Sequence, residues 1–249
     1  VISQGVSGLL CLVYIWKAVP ELRMKREDWH FNKDIAAKQI SVGIPMGLQY
    51  SITAIGTMMV QSSLNILGSY AVAAFTAGNK IECIFTQAFV AIGTTISTYN
   101  AQNIGAGKLD RVRQGFRATD VIGCAYAVIA GFILFFAGKY FSYLFISDNA
   151  DVVIPMVDTY LRCVGMFLVP LYVVNCYRNG FQGMGYGLLP MLSGVAELVG
   201  RGVMAVIAAN KKSYTMACMA SPFAWVVATV LLIVLYFYVM KDMKKKLCL

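Results

Sequence analysis

Long, nearly charge-free apolar runs constrain this chain more than any other feature. A helix needs about 20 mostly apolar residues to cross roughly 30 Å of hydrocarbon, and from about Gln39 onward one stretch after another reaches that length between short polar connections. With 59% hydrophobic and 13% charged residues over 249 positions, a water-soluble domain is excluded in favour of a membrane protein. The runs are too continuous for alternating barrel strands of about ten residues. The fold class that follows is an all-α membrane protein, a six-helix transmembrane bundle preceded by a truncated helix.

The truncated helix is Val1 to Trp16, about 24 Å long as a helix and too short to span comfortably. No basic stretch precedes it and no small-residue cleavage site follows, so it is not a signal segment. A fragment that begins inside a membrane helix is expected. A polar linker follows at residues 17–38, carrying Arg23, Lys25, Arg26, Glu27 and Asp28. Residues 39–240 then hold six spans, at about Gln39–Leu67, Ala71–Gln102, Gln114–Phe136, Ile154–Phe181, Leu189–Ala209 and Tyr214–Met240, and residues 241–249 form a basic tail. In the first of these, Gly43 and Gly47 make a G-x-x-x-G face suited to close helix approach, and Pro45 predicts a kink. Gly68 marks a tight turn, and Pro190 stands where a helix starts.

Alternating the spans sorts the connections into two sets. One carries Lys17, Arg23, Lys25, Arg26, Lys33 and Lys38, then Lys108, Arg111, Arg113 and Arg117, then Lys241, Lys244, Lys245 and Lys246. The other carries Lys139, Lys211 and Lys212, with Asp148 and Asp151 in one loop. Basic loops stay in the cytoplasm, so the C-terminus is expected there and the protein in the cell membrane, in contact with lipid. The net charge of +9 sits in these loops and no nucleic-acid motif accompanies it. No nucleic-acid partner is therefore expected.

Catalytic and metal chemistry find no constellation. His30 is the sole histidine and lies in a charged loop; the seven cysteines are scattered singly without a C-x-x-C. Neither a cofactor, a metal nor an enzymatic activity is expected. Gly105-Ala106-Gly107-Lys108 lacks the rest of a phosphate-binding loop, since Lys108 is followed by Leu109, and reads as a helix-ending turn.

Charges kept inside a membrane cost at least about 2.5 kcal/mol each on insertion scales and normally face a protein interior or an aqueous cavity. Lys80 and Glu82 lie about 14 Å into their span and, two residues apart, point to different faces. They form either an ion or proton site lining a cavity or ion pairs with another helix. Glu197 and Arg201 stand at i, i+4 with the acid first, which suits an intrahelical structural pair. Gln49, Tyr50, Thr53, Gln87, Tyr172 and Asn175 are uncharged polar positions inside apolar spans. They serve either interhelical hydrogen bonds or, with the Met and aromatic residues, an adaptable pocket for bulky, partly apolar ligands.

Several runs carry a family likeness: V-G-I-P-M-G-L-Q-Y from Val42, A-V-A-A-F-T-A-G-N-K-I-E from Ala71, A-Q-N-I-G-A-G-K-L-D-R-V-R from Ala101, F-Q-G-M-G from Phe181, and the E-x-x-x-R of Glu197 and Arg201. Together they resemble the multidrug and toxic compound extrusion (MATE) family over nearly the whole chain. The resemblance implies one lobe of a twelve-helix transporter, in which a pseudo-two-fold relates two six-helix lobes and inward proton or sodium flow drives export of organic compounds. Val1 to Trp16 is then the end of a missing N-terminal lobe, the partner of this one. The sodium-coupled branch places a glutamate eight residues after the proline of its seventh helix and an aspartate in its tenth; here those positions fall on Thr53 and near Leu171. On this map Lys80, Glu82, Gln49, Tyr50, Gln87, Tyr172 and Asn175 are the candidates for the substrate and ion pathway. A lipid-linked oligosaccharide flippase of the same superfamily and a non-transporting scaffold subunit are the alternatives. The flippase should show a more basic cavity than Lys80, Arg162, Arg178 and Arg201 set against Glu82 and Glu197.

The orientation has a direct test. In a cysteine-free background, single cysteines at positions 25, 108 and 244 stay shielded from an impermeant thiol reagent in intact cells, and one at position 149 is labelled. Labelling from outside at position 108 overturns the span count or the orientation.

Overall fold

Apolar runs of this length can satisfy their backbone groups inside a membrane only as helices, and the structure is helical apart from short connections. The computed structural model describes residues 2–20, 30–143, 146 and 150–246, Lys246 by its backbone alone. Arg23, Lys25, Arg26, Glu27 and Asp28 of the linker, Asp148 of the acidic loop, position 149 and Cys248 lie outside the described residues.

The chain divides into two compact units, Val1–Ile40 and Ser41–Leu249. In the first, α1 (Ile2–Ala18) buries no residue, and α2 (Lys33–Leu67) begins. Asn32 caps that start, its side-chain oxygen accepting from the backbone N–H groups of Asp34 at 3.0 Å and Ile35 at 3.3 Å.

The second unit holds the rest of α2 with α3 (Ser69–Gly105), α4 (Leu109–Ser142), α5 (Ala150–Met166), α6 (Leu168–Gly183), α7 (Leu188–Lys211), α8 (Tyr214–Cys218) and α9 (Ala220–Lys246). Gly68 reverses the chain between α2 and α3 at φ 102°, a conformation that favours glycine. Gly107, at φ 71°, ends the turn between α3 and α4 as the sequence suggested. The core is built from Ile81, Phe89 and Ile96 of α3, Val112, Phe116 and Leu134 of α4, Tyr160, Leu161 and Val164 of α5, Leu168 and Tyr172 of α6, and Leu232 of α9.

By length and composition α3, α4, α7 and the α8–α9 segment can each cross a membrane, and α5 with α6 makes a fifth, bent span. α2 completes the six-segment bundle. It has the length, but Gln49, Ser51, Thr53, Thr57, Gln61, Ser62, Ser63 and Asn65 interrupt its apolar run.

Two continuous spans read from the sequence are broken. Ile154–Phe181 divides at Phe167, where α5 and α6 meet at 55°, and Tyr214–Met240 divides at Met219. The cause is the same in both. Pro170 and Pro222 have no N–H to give the carbonyl four residues back, at Met166 and Cys218, and each helix stops at that residue. The Pro170 carbonyl, inside α6, accepts from Thr229 of α9 at 3.0 Å. By contrast α2 runs as one helix through Pro45. The Gly43/Gly47 face also differs from its expected role, since among the described residues no atom beyond their own helix turn stands within 4 Å of either Cβ position.

Close helix approach occurs instead between α4 and α5. A Cβ on Gly165 would stand 2.9 Å from the Gly131 carbonyl oxygen and 3.3 Å from the Phe135 nitrogen, both backbone atoms that cannot swing away. Gly165→Val should therefore destabilise the bundle by about 1–3 kcal/mol through overpacking. Gly105→Ala, with open space around its Cβ position, should stay within about 0.5 kcal/mol. Thermal unfolding in detergent measures both, and equal midpoints refute the contact.

Candidate functional site

An apolar bundle tolerates buried polar groups only when they find one another, so the interior polar contacts locate the site. The first group joins α3 and α5. Tyr160 donates its hydroxyl to the Glu82 carboxylate, and Asn79 donates to the Tyr160 oxygen at 3.4 Å. Glu82 is 7% exposed and Tyr160 2%. Gly78 makes the contact possible, because a side chain there would collide with the Tyr160 ring. Phe75 closes the other side, edge-on at 4.8 Å between ring centroids.

The second group joins α6, α7 and α2. Arg178 of α6 pairs with Glu197 of α7 and donates to Ser193 at 3.1 and 3.2 Å. Ser193 in turn donates to the Pro190 carbonyl at 2.6 Å. The other Glu197 oxygen meets Arg201, one turn on, at 3.2 Å. Arg201 reaches α2, donating to the Thr53 carbonyl at 3.4 Å with its Cδ 3.1 Å from the Gly56 Cβ position. Nearby, Gln182 of α6 donates to Gln49 of α2 at 3.2 Å, and Gln49 packs on Gly194 of α7.

Glu82 and Arg201 carry opposite charges, one in each group. Arg178, Glu197, Arg201 and Glu82 make a series of four interior charges whose signs balance when both carboxylates are ionised. A proton on Glu82 leaves the series with one excess positive charge. Chemically, the arrangement can bind and release a proton or hold a monovalent cation's charge; among the described residues no group of His, Cys, Asp and Glu is arranged to hold a metal ion.

The remaining sequence candidates scatter. Lys80, Gln87 and Tyr50 are exposed, with Lys80 and Glu82 on opposite sides of α3. Tyr172 is fully buried, donates to the Thr119 carbonyl at 2.6 Å and lies on Gly123, so it packs α6 against α4. Asn175 bonds the Leu171 carbonyl of its own helix at 3.1 Å. Arg162 pairs with Asp158 at 2.8 Å, away from the series.

Besides the Tyr160 contact with Glu82, two features escaped the sequence reading. One is the Arg178 link to Glu197, which makes the pair a triad. The other is an exposed stripe on α3: Thr76, Lys80, Cys83, Gln87, Thr94, Thr98 and Gln102. Its steps of three, four and seven residues were the available signal. Toward its end, Thr94, Thr95, Thr98, Tyr99 and Gln102 line a shallow recess.

Residues 45–207 match the family model described as MatE. A probable multidrug resistance protein of Bacillus subtilis, YpnP, is 29% identical over 194 residues, which cover 77% of this chain and 42% of that protein. A FAD transporter of Shewanella oneidensis is 24% identical over 116 residues, 45% of this chain and 24% of that one. Among solved structures, a MOP superfamily transporter from Pyrococcus furiosus superposes with a TM-score of 0.86 at 19% identity, covering 96% of this chain and 54% of its own. A multidrug resistance MATE family transporter in an outward-facing conformation gives 0.87 at 19% identity over the same shares. The chain therefore spans about half the length of the proteins it resembles, and the structures share its fold.

The triad sets a stability test. Glu197→Gln strands the buried Arg201 and the partly buried Arg178 guanidinium and should cost about 3–5 kcal/mol, read as a lowered unfolding midpoint in detergent. Adding Arg178→Met removes one stranded charge and should recover part of the loss. A neutral Glu197→Gln refutes the buried triad.

Proposed function

This chain belongs to the MatE family, and from that membership we propose that it is one lobe of a proton- or sodium-coupled antiporter that exports organic, partly apolar compounds. It is a multi-pass membrane protein of transporter fold. In this reading residues 1–16 end a preceding lobe, residues 17–38 link the two, residues 39–240 are the second lobe, and a further six-helix lobe completes the pathway. The match to less than half of YpnP supports a single lobe, and that relative's description as a probable multidrug resistance protein supports the substrate class.

One observation carries the coupling role: Glu82 is a buried carboxylate that accepts from the Tyr160 hydroxyl, so its charge ties α3 to α5. Protonation or a bound cation neutralises that charge. The same event weakens the anchor of α5 through Tyr160, while α6 stays tied to Glu197 by Arg178. The break at Phe167 lies between those two anchors, so α5 can shift without dragging α6. Alternating access rocks or gates one repeat against the other, and a shift of α5 within this lobe contributes to such a movement. On the other side of α3, the exposed stripe from Thr76 to Gln102 offers hydroxyl, amide and ammonium groups to a substrate between the lobes. With Arg178, Glu197, Arg201 and Glu82 balanced, nothing here favours an oligosaccharide flippase.

Dye efflux in a pump-deficient cell tests the proposal. The 249-residue chain alone should stay at background, and the two-lobe protein that contains it should export. In that protein Glu82→Gln should lower efflux severalfold and flatten its pH or sodium dependence at normal membrane expression. Unchanged efflux with unchanged ion dependence removes Glu82 from coupling.

A further inference from the structure

Seven of the cations left outside the interior series stand on the start of α4 and the end of α9. Lys108 precedes α4, whose first turns carry Arg111, Arg113 and Arg117, and α9 ends in Lys241, Lys244 and Lys245. Packing brings these two helix ends together. The Phe116 and Tyr236 rings stand 5.3 Å apart, edge to face, and Tyr177 of α6 packs against both at 5.2 and 5.5 Å between centroids.

The carboxylates of this end are engaged elsewhere. Asp110 sits 3.8 Å from Arg113, Asp120 accepts from Tyr177 at 3.0 Å, and Asp242 accepts from Tyr186. Among the described residues no ion pair involves Lys108, Arg111, Arg117, Lys241, Lys244 or Lys245, and all six side chains are exposed. One to two turns further into the spans the same two helices expose Val121 and Ile122 of α4 and Val234, Phe237 and Tyr238 of α9. Cations therefore border apolar and aromatic surface on both helices.

We propose that the start of α4 and the end of α9 form a binding site for an anionic phospholipid of the phosphatidylglycerol class. Its phosphate lies among Arg117, Arg113 and Lys244, and its acyl chains run along the exposed apolar residues of both helices. A soluble phosphate satisfies the cations alone, whereas a lipid satisfies both halves of this surface. Basic clusters beside membrane helices attract anionic headgroups with about a fivefold gain in affinity per Lys or Arg.

The test is lipid retention by the purified chain, read by native mass spectrometry after exchange into micelles containing phosphatidylglycerol or phosphatidylcholine. Phosphatidylglycerol should be retained in preference. Arg117→Gln with Lys244→Gln should weaken its binding by about 25-fold, and Arg117→Lys with Lys244→Arg, which keep the charges, should preserve it. Lys211→Gln with Lys212→Gln, at the end of the bundle where α9 begins, should leave retention unchanged. Three results overturn the site: equal retention of the zwitterionic lipid, an equal loss from the Lys211 and Lys212 pair, or displacement of the lipid by equimolar glycerol phosphate, which marks a soluble-anion site.

Discussion

The interaction on which the rest of the bundle depends is the contact of Glu197 with two guanidiniums. Burying an ion without a partner costs several kcal/mol, and a bundle that keeps Arg178, Arg201 and Glu197 inside has no geometry open to it in which they separate. That requirement fixes α6 against α7 through Arg178 and Ser193, and α7 against α2 through Arg201 and the Thr53 carbonyl. Small residues make the approach possible, with Gly56 facing Arg201 and Gly194 facing Gln49. The pairing therefore buys orientation more than net stability, since a buried ion pair roughly breaks even against a hydrophobic one.

Much of the fold was legible because span length is a one-dimensional property. Apolar runs and polar gaps located all six segments, and Gly68 and Gly107 stand at turns where positive φ is needed. The breaks at Phe167 and Met219 were written in Pro170 and Pro222, yet the sequence reading carried its spans through both prolines. A proline affects the carbonyl four residues behind it, so its break appears a full turn before the residue that causes it. Pro45 shows why the rule needs the structure, for α2 continues through it.

The candidate site was legible only where it is local. Glu197 and Arg201 are one helical turn apart and read from spacing alone. Arg178 stands on the preceding helix, and its pairing depends on how the turn around Gly185, at φ 86°, folds α7 back on α6. Tyr160 was hidden for a different reason. A tyrosine in an apolar span reads as packing, and only the notch at Gly78 brings its hydroxyl to Glu82. Tyr172 is the converse case: its hydroxyl also finds a partner, but that partner is a backbone carbonyl, so it holds helices together and carries no charge.

α3 shows how one helix can serve both purposes. Lys80 and Glu82 are two residues apart, about 200° around the helix, so one points out of the bundle and the other into it. Lys80 stands exposed on the outward face, and on the buried inward face the Glu82 carboxylate takes the Tyr160 hydroxyl. A change of charge on the inner face is felt by α5 through Tyr160, whereas the outer stripe makes contact with whatever lies beyond the bundle. On the proposed role, ion and substrate therefore meet the same rigid helix from opposite sides. The link between them is the orientation of α3 itself, which no single residue of the stripe has to transmit.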